Sequence, residues 1–547
     1  MKFIADAVDK LDTLQSDDLR KLVRESNAKL HEIQANVLSL KAELLTSKLL
    51  IEKMKIQIAQ LKRMRFGKSS EKIEQKIVQL ELGLEEVEII EASANEESNE
   101  DTARASEEPT SGESVSSKRQ VKCRREMPSH VPKEVRVIAP KGCICSECGG
   151  ALSALGEDVC EYLELEPVRF KVIRQVRPKF ACTRCEAIVQ EPAPARAIER
   201  GMVGPGLLAH ILVGKYADHK PLYRQEQIYA REGVHLERSL LAQWVGGASK
   251  ILAPLVDALR KHVLAAEVIH TDDTPLPVLA PGLGKTKVGR LWTYVRDERP
   301  AAGTVAPAVW FAYSPDRKGE HAQGHLETYR GVLQADGYPG YIKSYKSGDI
   351  QEASCWSHAR RKFFDLYHAN QSPIASEALE RIGALYAIEQ EIRGKSATER
   401  CSVRKAQSRP LLDGLKRWLE QALATVSQKS ATALAIQYSL SRWESLTRYC
   451  DDGRIEIDNN AAERALRCVA LGRKNYLFAG SDKGGAYAAG MYSLIGTAKL
   501  NGYNPEAFLR EVLARISDHP ISRIHELLPW NISALERIDQ ATTCTVT

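Results

Sequence analysis

Two aspartates, each at the end of a short β-rich run, are the residues of this chain whose placement suggests chemistry. Residues 268–271 lead into Asp272, and residues 331–335 lead into Asp336. If these runs are neighbouring strands of a mixed sheet, the two carboxylates lie side by side. Such a pair repels itself unless cations sit between the carboxylates, as in a two-metal phosphoryl-transfer site. Strands commonly end in Asp for turn reasons, so only the joint placement is informative.

A third carboxylate would complete the cage for the cations, and the candidate is Glu463. One interpretation is structural: Asn460 caps a helix and Glu463, three residues on, closes a capping box. The other interpretation is a metal site beside phosphates, because basic residues flank this glutamate. They are Arg464, Arg467, Arg473 and Lys474. The residues alone favour neither interpretation.

The elements that must hold these acids follow from the hydrophobic pattern. Between the two aspartates, the sequence predicts strands over 291–295 and 308–313 and a helix over 320–329. The expected order is therefore three strands, a helix and a fourth strand, with a carboxylate at the end of the first and fourth strands.

Four cysteines form two Cys-x-x-Cys pairs separated by 33 residues, and they are Cys145, Cys148, Cys182 and Cys185. Two thiolate pairs on two knuckles can close a tetrahedron around structural zinc, with β-strands between the knuckles. Redox chemistry is the alternative, but it would need one exposed pair rather than two. Cys143 is close enough to substitute as a ligand.

Length and charge set the frame for these sites. The chain has 547 residues, of which 43% are apolar and 27% charged, so several soluble domains are expected. The sequence shows neither a membrane-spanning run nor a signal-peptide core, which predicts an intracellular protein. Residues 91–113 carry eight carboxylates and one arginine, a balance of −7, so the rest of the chain carries +13 out of a total of +6. That surplus suits nucleic acid or is ordinary solubilising charge.

The first ninety residues show a heptad pattern typical of a coiled coil. Its positions are Ile33, Val37, Leu40, Leu44, Ser47, Ile51, Met54, Ile58 and Leu61, and a second run out of phase has Ile73, Ile77, Leu80, Leu84 and Val87. The break between the runs predicts a hinge or a helical hairpin. The pattern favours self-association, and the alternative is a helix packed on its own chain.

Residues 223–229 and 237–245 read as two helices with a turn at Gly233, which suggests a helix-turn-helix. The side chains expected to contact DNA phosphates or base edges are Arg224, Arg231, Arg238 and Gln243. Any helical pair of an all-α subdomain gives the same pattern.

These landmarks, in this order, resemble the insertion-sequence-66 family of bacterial transposases over nearly the whole chain. The motifs that carry the resemblance are Arg-Phe-Gly-Lys-Ser-Ser-Glu-Lys at 65–72, the two cysteine knuckles, Pro-Leu-Tyr-Arg-Gln-Glu at 221–226, Asp-Asp-Thr-Pro at 272–275, Asp-Gly-Tyr at 336–338, Cys-Trp-Ser-His-Ala-Arg-Arg-Lys-Phe at 355–363, Asp-Asn-Asn-Ala-Ala-Glu-Arg at 458–464 and Gly-Thr-Ala-Lys-Leu-Asn-Gly-Tyr at 496–503.

The resemblance implies a ribonuclease-H-like catalytic domain with an Asp-Asp-Glu triad, carried here by Asp272, Asp336 and Glu463. It implies two magnesium or manganese ions held by this triad. The family usually has Asp-Glu-Thr where this chain has Asp272-Asp273-Thr274, so Asp273 could compete for the metal. If Glu463 is only a cap, Asp458 or Glu456 replaces it.

The motif at 355–363 contributes two further expectations. Cys355 and His358 are expected to be helix-face residues near the site rather than a metal pair. Phosphate contacts are expected from Arg360, Arg361 and Lys362.

The fold class expected is multidomain: a coiled coil, a zinc-ribbon-like module, a helix-turn-helix and an α/β ribonuclease-H-like core with a helical insertion. The 126 residues between Asp336 and Glu463 imply the insertion. The expected divisions are 1–90 coiled coil, 91–125 linker, 126–198 zinc module, 199–262 helix-turn-helix, 263–366 first part of the core, 367–455 insertion, 456–515 second part of the core and 516–547 tail.

The function implied is metal-dependent cleavage and strand transfer at transposon ends. The expected partners are end and target DNA, a second copy of the chain and accessory proteins of the same element, without a membrane. The expected location is the bacterial cytoplasm, on the nucleoid. The alternatives are a zinc-dependent DNA-binding regulator without catalysis, which need not keep the three acids, and a nuclease without strand transfer.

Overall fold

A computed structural model of the chain describes residues 130–140, 144–145, 148–166, 169–198, 201–279, 286–475 and 479–533, together with residue 127 and scattered helical positions between 29 and 89. The predicted linker at 91–125, Cys143 and the end of the tail lie outside the described residues. Of residues 166 and 473–475, only the backbone is described.

Nine strands follow one another along the chain: β1 Lys133–Val137, β2 Leu152–Glu166, β3 Arg169–Cys182, β4 Ile188–Val189, β5 Val268–Leu279, β6 Thr286–Arg296, β7 Ala308–Ser314, β8 Gly331–Ala335 and β9 Ile350–Ser354. The α-helices with both ends described are α1 Pro205–Tyr216, α2 Leu222–Arg231, α3 Arg238–Ile251, α4 Ala253–Leu264, α5 Gly319–His325, α6 Ile342–Lys346, α7 Trp356–Asn370, α8 Pro373–Ile392, α9 Ala397–Val403, α10 Arg409–Thr425, α11 Ala431–Ser441, α12 Trp443–Thr447, α13 Asn460–Asn475, α14 Asp482–Leu500 and α15 Pro505–Arg515. A π-helix spans Arg404–Ser408, and short 3₁₀ turns lie at Arg299–Ala301, Pro339–Tyr341, Arg448–Cys450, Ile521–Leu527 and Pro529–Asn531.

The first sheet has the order β1-β3-β2, with β4 paired to β3. Strands β2 and β3 form a long antiparallel hairpin, and β1 pairs with β3 in parallel. Phe170 and Val172, two residues apart on one face of β3, are buried in the main apolar core. As the sequence predicted, strands fill the interval between the two cysteine knuckles.

Helices α1 to α4 follow this sheet. Helix α1 is buried on nearly all of its surface, and Pro205 in its first turn suits a position that needs no N–H partner. The predicted helix-turn-helix corresponds to α2 and α3, with Gly233 between them at φ +79, a left-handed conformation that favours glycine. The prediction of two helices around this turn is confirmed.

Described positions of the two heptad runs pack against each other within one chain. Ile51 and Ile58 of the first run contact Leu84 of the second and are buried with it, and Met54 and Leu80 flank them. The hairpin interpretation is therefore confirmed for these positions. Since their apolar side chains are covered by their own chain, they favour the intramolecular alternative, and self-association stays a prediction. The other heptad positions lie outside the described residues.

The second run is also fixed to the helix-turn-helix by a buried ion pair. Glu85 pairs with Lys215 of α1, and the two side chains are 0% and 2% exposed. The other Glu85 oxygen accepts the N–H of Leu222 at 2.7 Å. Since a buried charge needs a partner and hydrogen bonds, this residue joins the N-terminal helix to the start of α2.

Replacing Lys215 by methionine should therefore loosen the N-terminal helix. The variant leaves the Glu85 carboxylate buried without its countercharge, which costs roughly 3–5 kcal/mol. Hydrogen exchange in the segment around residues 80–89 should accelerate strongly. The matched control is Lys220→Met, whose exposed pair with Asp218 contributes little. Equal protection in both variants would show that the pair does not anchor this helix.

The second sheet has the order β7-β6-β5-β8-β9. The first three strands are antiparallel, whereas β8 pairs in parallel with both β5 and β9. The predicted order of three strands, a helix and a fourth strand is confirmed. Helix α14 covers β7, where the hydroxyls of Ser493 and Thr497 accept the N–H groups of Phe311 and Val309.

Two boundaries predicted from the sequence are wrong. The first strand does not end before Asp272 but continues to Leu279, because β6 pairs with it over its whole second half. The helix predicted to reach residue 329 ends at His325. Tyr329 instead turns towards the sheet, with its hydroxyl 2.8 Å from the Val332 carbonyl oxygen.

A group of helices from α7 to α12 intervenes between β9 and α13. It has its own apolar core, in which Trp356 and Phe363 of α7 pack with Leu385, Leu412 and Ile436. Ala353 of β9 joins this core, so the helices are attached to the edge of the second sheet. The expected insertion start at residue 367 falls inside α7, which runs without a break to Asn370.

Among the residues that the structure describes, no helix combines the length and apolarity needed to cross a membrane.

Candidate active site and zinc cluster

The register of the central strands places Asp272 and Asp336 next to each other. Strands β5 and β8 pair in parallel through His270 and Gln334, and each aspartate lies two residues beyond this pair. Asp272 therefore sits where β5 loses its β8 neighbour, and Asp336 sits immediately after β8 ends. Successive residues alternate between the faces of a strand, so the two aspartates occupy equivalent positions.

Asp273, the residue that could compete for a metal, is bound by arginines. Its side chain is 3% exposed; Arg317 donates to Oδ1 at 2.8 Å, and Arg290 Nη1 lies 3.0 Å from Oδ2. Arg317 also approaches Asp336 to 3.9 Å and lies over the Tyr338 ring. Two guanidinium groups thus neutralise Asp273, whereas Asp272 accepts the Asp273 N–H at 2.7 Å and has no ion pair among the described residues.

The electrostatics single out Asp272. Burial, together with the negative charges of Asp336, Asp273 and Glu463, raises the pKa of its carboxyl to about 7 against the lowering effect of the Asp273 N–H. A carboxylate in this environment is stabilised by a cation placed beside it.

The segment before α13 ties the helix that carries Glu463 to both aspartate strands. The Asn459 side chain donates to the Thr271 carbonyl oxygen of β5 at 2.7 Å. The Gln334 side chain of β8 bonds the backbone of Glu456 at both its N–H and its carbonyl oxygen. Since Asn459 and Gln334 are fully buried, these bonds position the start of α13 over the strands.

Glu463 is not part of a capping box. The Asn460 side chain donates to Asp458 at 2.7 Å, and α13 begins with the N–H groups of Ala462 and Glu463 bonded to the Asn459 carbonyl oxygen. Glu463 Oε1 is buried without a hydrogen-bond partner, 3.9 Å from His358 Nε2. The structural interpretation of this glutamate as a cap is therefore wrong.

The alternative acids are engaged elsewhere. Glu456 pairs with Arg400 and lies 3.4 Å from Arg393. Asp458 accepts the backbone and side-chain N–H groups of Asn460. Glu463 is held less tightly than either acid, because Arg361 and His358 approach its carboxylate oxygens only to 3.9 Å.

Among the described residues, the neighbours of Glu463 differ from those that the sequence predicted. Ligand atoms of Cys355, His358 and Glu463 all lie within 4.8 Å of one another, and the carboxylates of Asp272, Asp336 and Glu463 do not all meet that distance. Asp272 and Glu463 are close enough to influence each other electrostatically. Cys355 and His358 lie on a helix near the site, as expected. Their convergence on Glu463 was not expected.

The donor set suits hard divalent cations. Asp272 is crowded by negative charge, and the orphaned Glu463 Oε1 is a buried oxygen without a donor. Carboxylate oxygens are the ligands that magnesium prefers. These residues therefore fit the metal ions that the resemblance implied.

Two neighbouring amide substitutions should change stability in opposite directions. The raised pKa of Asp272 means that its charged form, dominant above pH 7, destabilises the metal-free fold, and this cost vanishes as the pH falls towards 4. Asp272→Asn should stabilise the protein by roughly 1–2 kcal/mol at pH 8, because it removes that cost. Asp273→Asn should destabilise it by roughly 2–3 kcal/mol, because two arginines lose their partner.

Thermal unfolding in magnesium-free buffer at pH 8 and pH 5 measures both effects. The gain of Asp272→Asn should shrink at pH 5. Equal losses for both variants would contradict the assignment of Asp273 as the paired acid and Asp272 as the unpaired one.

The four predicted cysteines form one cluster. The Sγ atoms of Cys145, Cys148, Cys182 and Cys185 all lie within 4.8 Å of one another, with the Cys148 and Cys185 atoms 3.3 Å apart. Four thiolates at this spacing fit a closed tetrahedral zinc site. The redox alternative needed one exposed pair, and the structure joins the two pairs instead.

Local backbone geometry builds this cluster. Gly149 has φ +71, and a Cβ on Gly150 would lie 2.9 Å from Cys182 Sγ and 3.3 Å from Cys148 Sγ. The turn therefore needs glycine at both positions. Hydrogen bonding from the Arg184 N–H lowers the pKa of the Cys182 thiol to about 6, which favours the thiolate that binds zinc.

The predicted DNA contacts fall into two groups. Side chains on α7 and α13 are exposed near Glu463, and they are Arg360, Arg361, Lys362, Arg464 and Arg467. In the helix-turn-helix, Arg224 is exposed and bonded to Tyr223, but Arg238 pairs with Glu88 of the N-terminal helix at 3.1 Å. The side chains of Arg473 and Lys474 lie outside the described residues.

Sequence reasoning missed Asn459, Gln334, Arg290 and Arg317 as parts of this site. Asn459 belongs to the Asp-Asn-Asn-Ala-Ala-Glu-Arg motif at 458–464, and its place in that motif could have identified it. The other three carry no local signal, because strand pairing brings Gln334 and Arg290 to the acids and the loop after β7 brings Arg317.

Comparison with known proteins identifies the family of this chain. A family described as "Transposase IS66 family" matches residues 200–487, and "IS66 C-terminal element" matches 493–530. The description "zinc-finger binding domain of transposase IS66" matches 142–186, and "Transposase C of IS166 homeodomain" matches 53–136. The chain therefore belongs to the IS66 family of transposases, which are DNA-binding proteins of transposable elements.

Similar proteins occur in Sinorhizobium fredii. The uncharacterized protein y4hP is 45% identical over 494 residues, covering 87% of this chain and 88% of that protein. The uncharacterized protein y4qI is 38% identical over 541 residues, covering 96% of this chain and 98% of that protein. The likeness thus extends across the whole domain arrangement.

Proposed function

We propose that this IS66-family transposase binds the inverted repeats at transposon ends and catalyses divalent-metal-dependent DNA strand cleavage and strand transfer. The observation that carries the proposal is the side-by-side placement of Asp272 and Asp336 on parallel strands, with Asp273 neutralised by arginines and Glu463 anchored nearby. This combination leaves Asp272, at the centre of the sheet, without an ion pair among the described residues.

The sheet supports the ribonuclease-H-like assignment that the resemblance implied. Numbered within this sheet, the strand order is 3-2-1-4-5, in which the first three strands are antiparallel and the last two run parallel to the first. The proposal keeps the domain divisions that the sequence predicts, with one change. The helical insertion starts near residue 355, where α7 begins.

Asp272, Asp336 and Glu463 are the proposed ligands for two magnesium or manganese ions. When bound, these ions lower the pKa of the attacking water and stabilise the leaving oxygen. Hydrolysis at the transposon end frees a 3′-hydroxyl, which then attacks a phosphorus atom of target DNA and displaces the 3′-oxygen of the target strand. Asn459 and Gln334 position the helix of Glu463, and Arg317 keeps Asp273 out of the ligand set.

The exposed basic residues of α7 and α13 lie on the two helices whose first turns approach the acids. We assign them to phosphates of the DNA ends and of the target, because guanidinium and ammonium groups neutralise the backbone without reading sequence. Arg473 and Lys474, further along α13, extend this assignment. A second copy of the chain, accessory proteins of the same element and a location on the bacterial nucleoid remain part of the proposal.

The experiment is incubation of the purified protein with labelled transposon-end DNA and magnesium. Nicking at the end followed by joining to a second duplex is the expected result. Binding without nicking would favour a DNA-binding regulator, and nicking without joining would favour a nuclease. Either outcome would overturn the proposed reaction.

A further inference from the structure

Two helix starts bring three metal-binding side chains together outside the aspartate pair. Cys355 occupies the N-cap position of α7, His358 lies in the first turn of α7, and Glu463 lies in the first turn of α13. One ligand atom from each lies within 4.8 Å of the others. Sulfur, nitrogen and oxygen donors on two separate elements thus meet at one point.

These donors do not bond to each other. Glu463 Oε1 and His358 Nδ1 are buried and lack a hydrogen-bond partner among the described residues, and the 3.9 Å from His358 Nε2 to Glu463 Oε1 is too long for a hydrogen bond. Cys355 Sγ accepts the N–H of Asn459 at 3.1 Å. Burial raises the pKa of the Cys355 thiol well above its usual value and outweighs the lowering effect of this N–H, so the metal-binding thiolate forms only with a cation beside it. The three groups therefore lie close together without hydrogen-bonding to one another.

The donor chemistry selects the ion. A thiolate with an imidazole and a carboxylate suits zinc, whereas magnesium prefers oxygen ligands alone. Bond lengths of about 2.0–2.3 Å around tetrahedral zinc place its ligand atoms roughly 3.3–3.8 Å apart. The 3.9 Å contact of His358 and Glu463 already lies close to this spacing.

We propose that Cys355, His358 and Glu463 form a second zinc site, separate from the four-cysteine cluster, and that zinc bound there holds Glu463 away from Asp272 and Asp336. The site itself stands on the convergence of the donors. The regulatory consequence rests on the proposed function, since it assumes that Glu463 is needed beside the aspartates. In the structure, Glu463 meets the 4.8 Å spacing with Cys355 and His358 but not with both aspartates. Zinc stabilises that arrangement and so inhibits the site.

Zinc counting on the full chain tests the site. After saturation with zinc and removal of loosely bound ions, the wild type should hold two ions per chain. Cys355→Ser, His358→Ala and Glu463→Gln should each hold one. The control Cys401→Ser, on α9 and outside both clusters, should hold two. One ion in the wild type, or two in a correctly folded His358→Ala, would overturn the site. His358 is 24% exposed, so its variant is the safer one for folding if Cys355→Ser is unstable.

Manganese binding tests the consequence without requiring cleavage. Zinc should weaken manganese affinity of the wild type at least about tenfold and should change that of His358→Ala less than about twofold. Equal weakening in both proteins would mean that zinc competes directly at the aspartates, and no weakening in the wild type would mean that Glu463 is not withdrawn. Either result would overturn the regulatory role. The existence of the zinc site would still be decided by the zinc count. Failure of DNA cleavage in wild type that holds zinc only in the four-cysteine cluster would instead count against the proposed function alone.

Discussion

Replacing Asp272, Asp336 or Glu463 by its amide should lower DNA cleavage by about 10³-fold or more while leaving DNA binding intact. The amide keeps the shape of the side chain but loses the negative charge that holds a hard divalent cation. A contribution of several kcal/mol to transition-state stabilisation corresponds to a rate change of this size. Cleavage of labelled end DNA and a mobility-shift assay on the same preparations measure the two properties.

Asp273→Asn is the matched control for this series. It changes a neighbouring acid of the same size, but its partners are Arg290 and Arg317, so its effect on cleavage should be mild once the lower stability is taken into account. Affinity for DNA should persist or rise in the triad variants, because repulsion of phosphate falls. Normal cleavage by Glu463→Gln would remove this glutamate from the triad.

Removing one cysteine of the four-cysteine cluster should remove the tightly bound structural zinc and unfold the knuckles. Cys182→Ala leaves three thiolates on two turns that have little apolar core of their own, and zinc binding is much of the folding free energy of such modules. The four-cysteine cluster should retain about one zinc ion per chain after dialysis, so Cys182→Ala should hold one ion fewer than the wild type.

Cys160→Ala supplies the control, because Cys160 lies on β2 of the same sheet but outside the cluster. Its zinc content and its thermal unfolding should match those of the wild type within about 1 kcal/mol. Zinc retained at the wild-type level by Cys182→Ala would show that the four sulfur atoms do not form the site.

Local sequence patterns predicted much of the fold. Alternating β-rich runs predicted four strands of the second sheet and their order, and the Gly233 turn predicted the two helices around it. The cysteine spacing predicted the cluster, because two knuckles joined by strands have few ways to close. These features depend on short stretches of chain, which sequence patterns describe well.

Long-range pairing was beyond these patterns. Nothing near Asp273 shows that Arg290 and Arg317 neutralise it, since β6 and the loop after β7 bring them in. The pairing of Arg238 with Glu88 depends on the docking of the N-terminal helix, so a side chain expected to face DNA instead meets a carboxylate. The convergence of Cys355 and His358 on Glu463 likewise joins residues about a hundred positions apart.

The central claim is that Asp272, Asp336 and Glu463 hold the divalent ions directly, and manganese binding followed by electron paramagnetic resonance tests it most directly. The wild type, with zinc removed from the site of Cys355, His358 and Glu463, is expected to bind two manganese ions per chain, in competition with magnesium. Asp272→Asn, Asp336→Asn and Glu463→Gln should each lose at least one ion or weaken its affinity more than about tenfold, whereas Asp273→Asn should bind as the wild type does. Unchanged manganese binding by all three triad variants would contradict the claim.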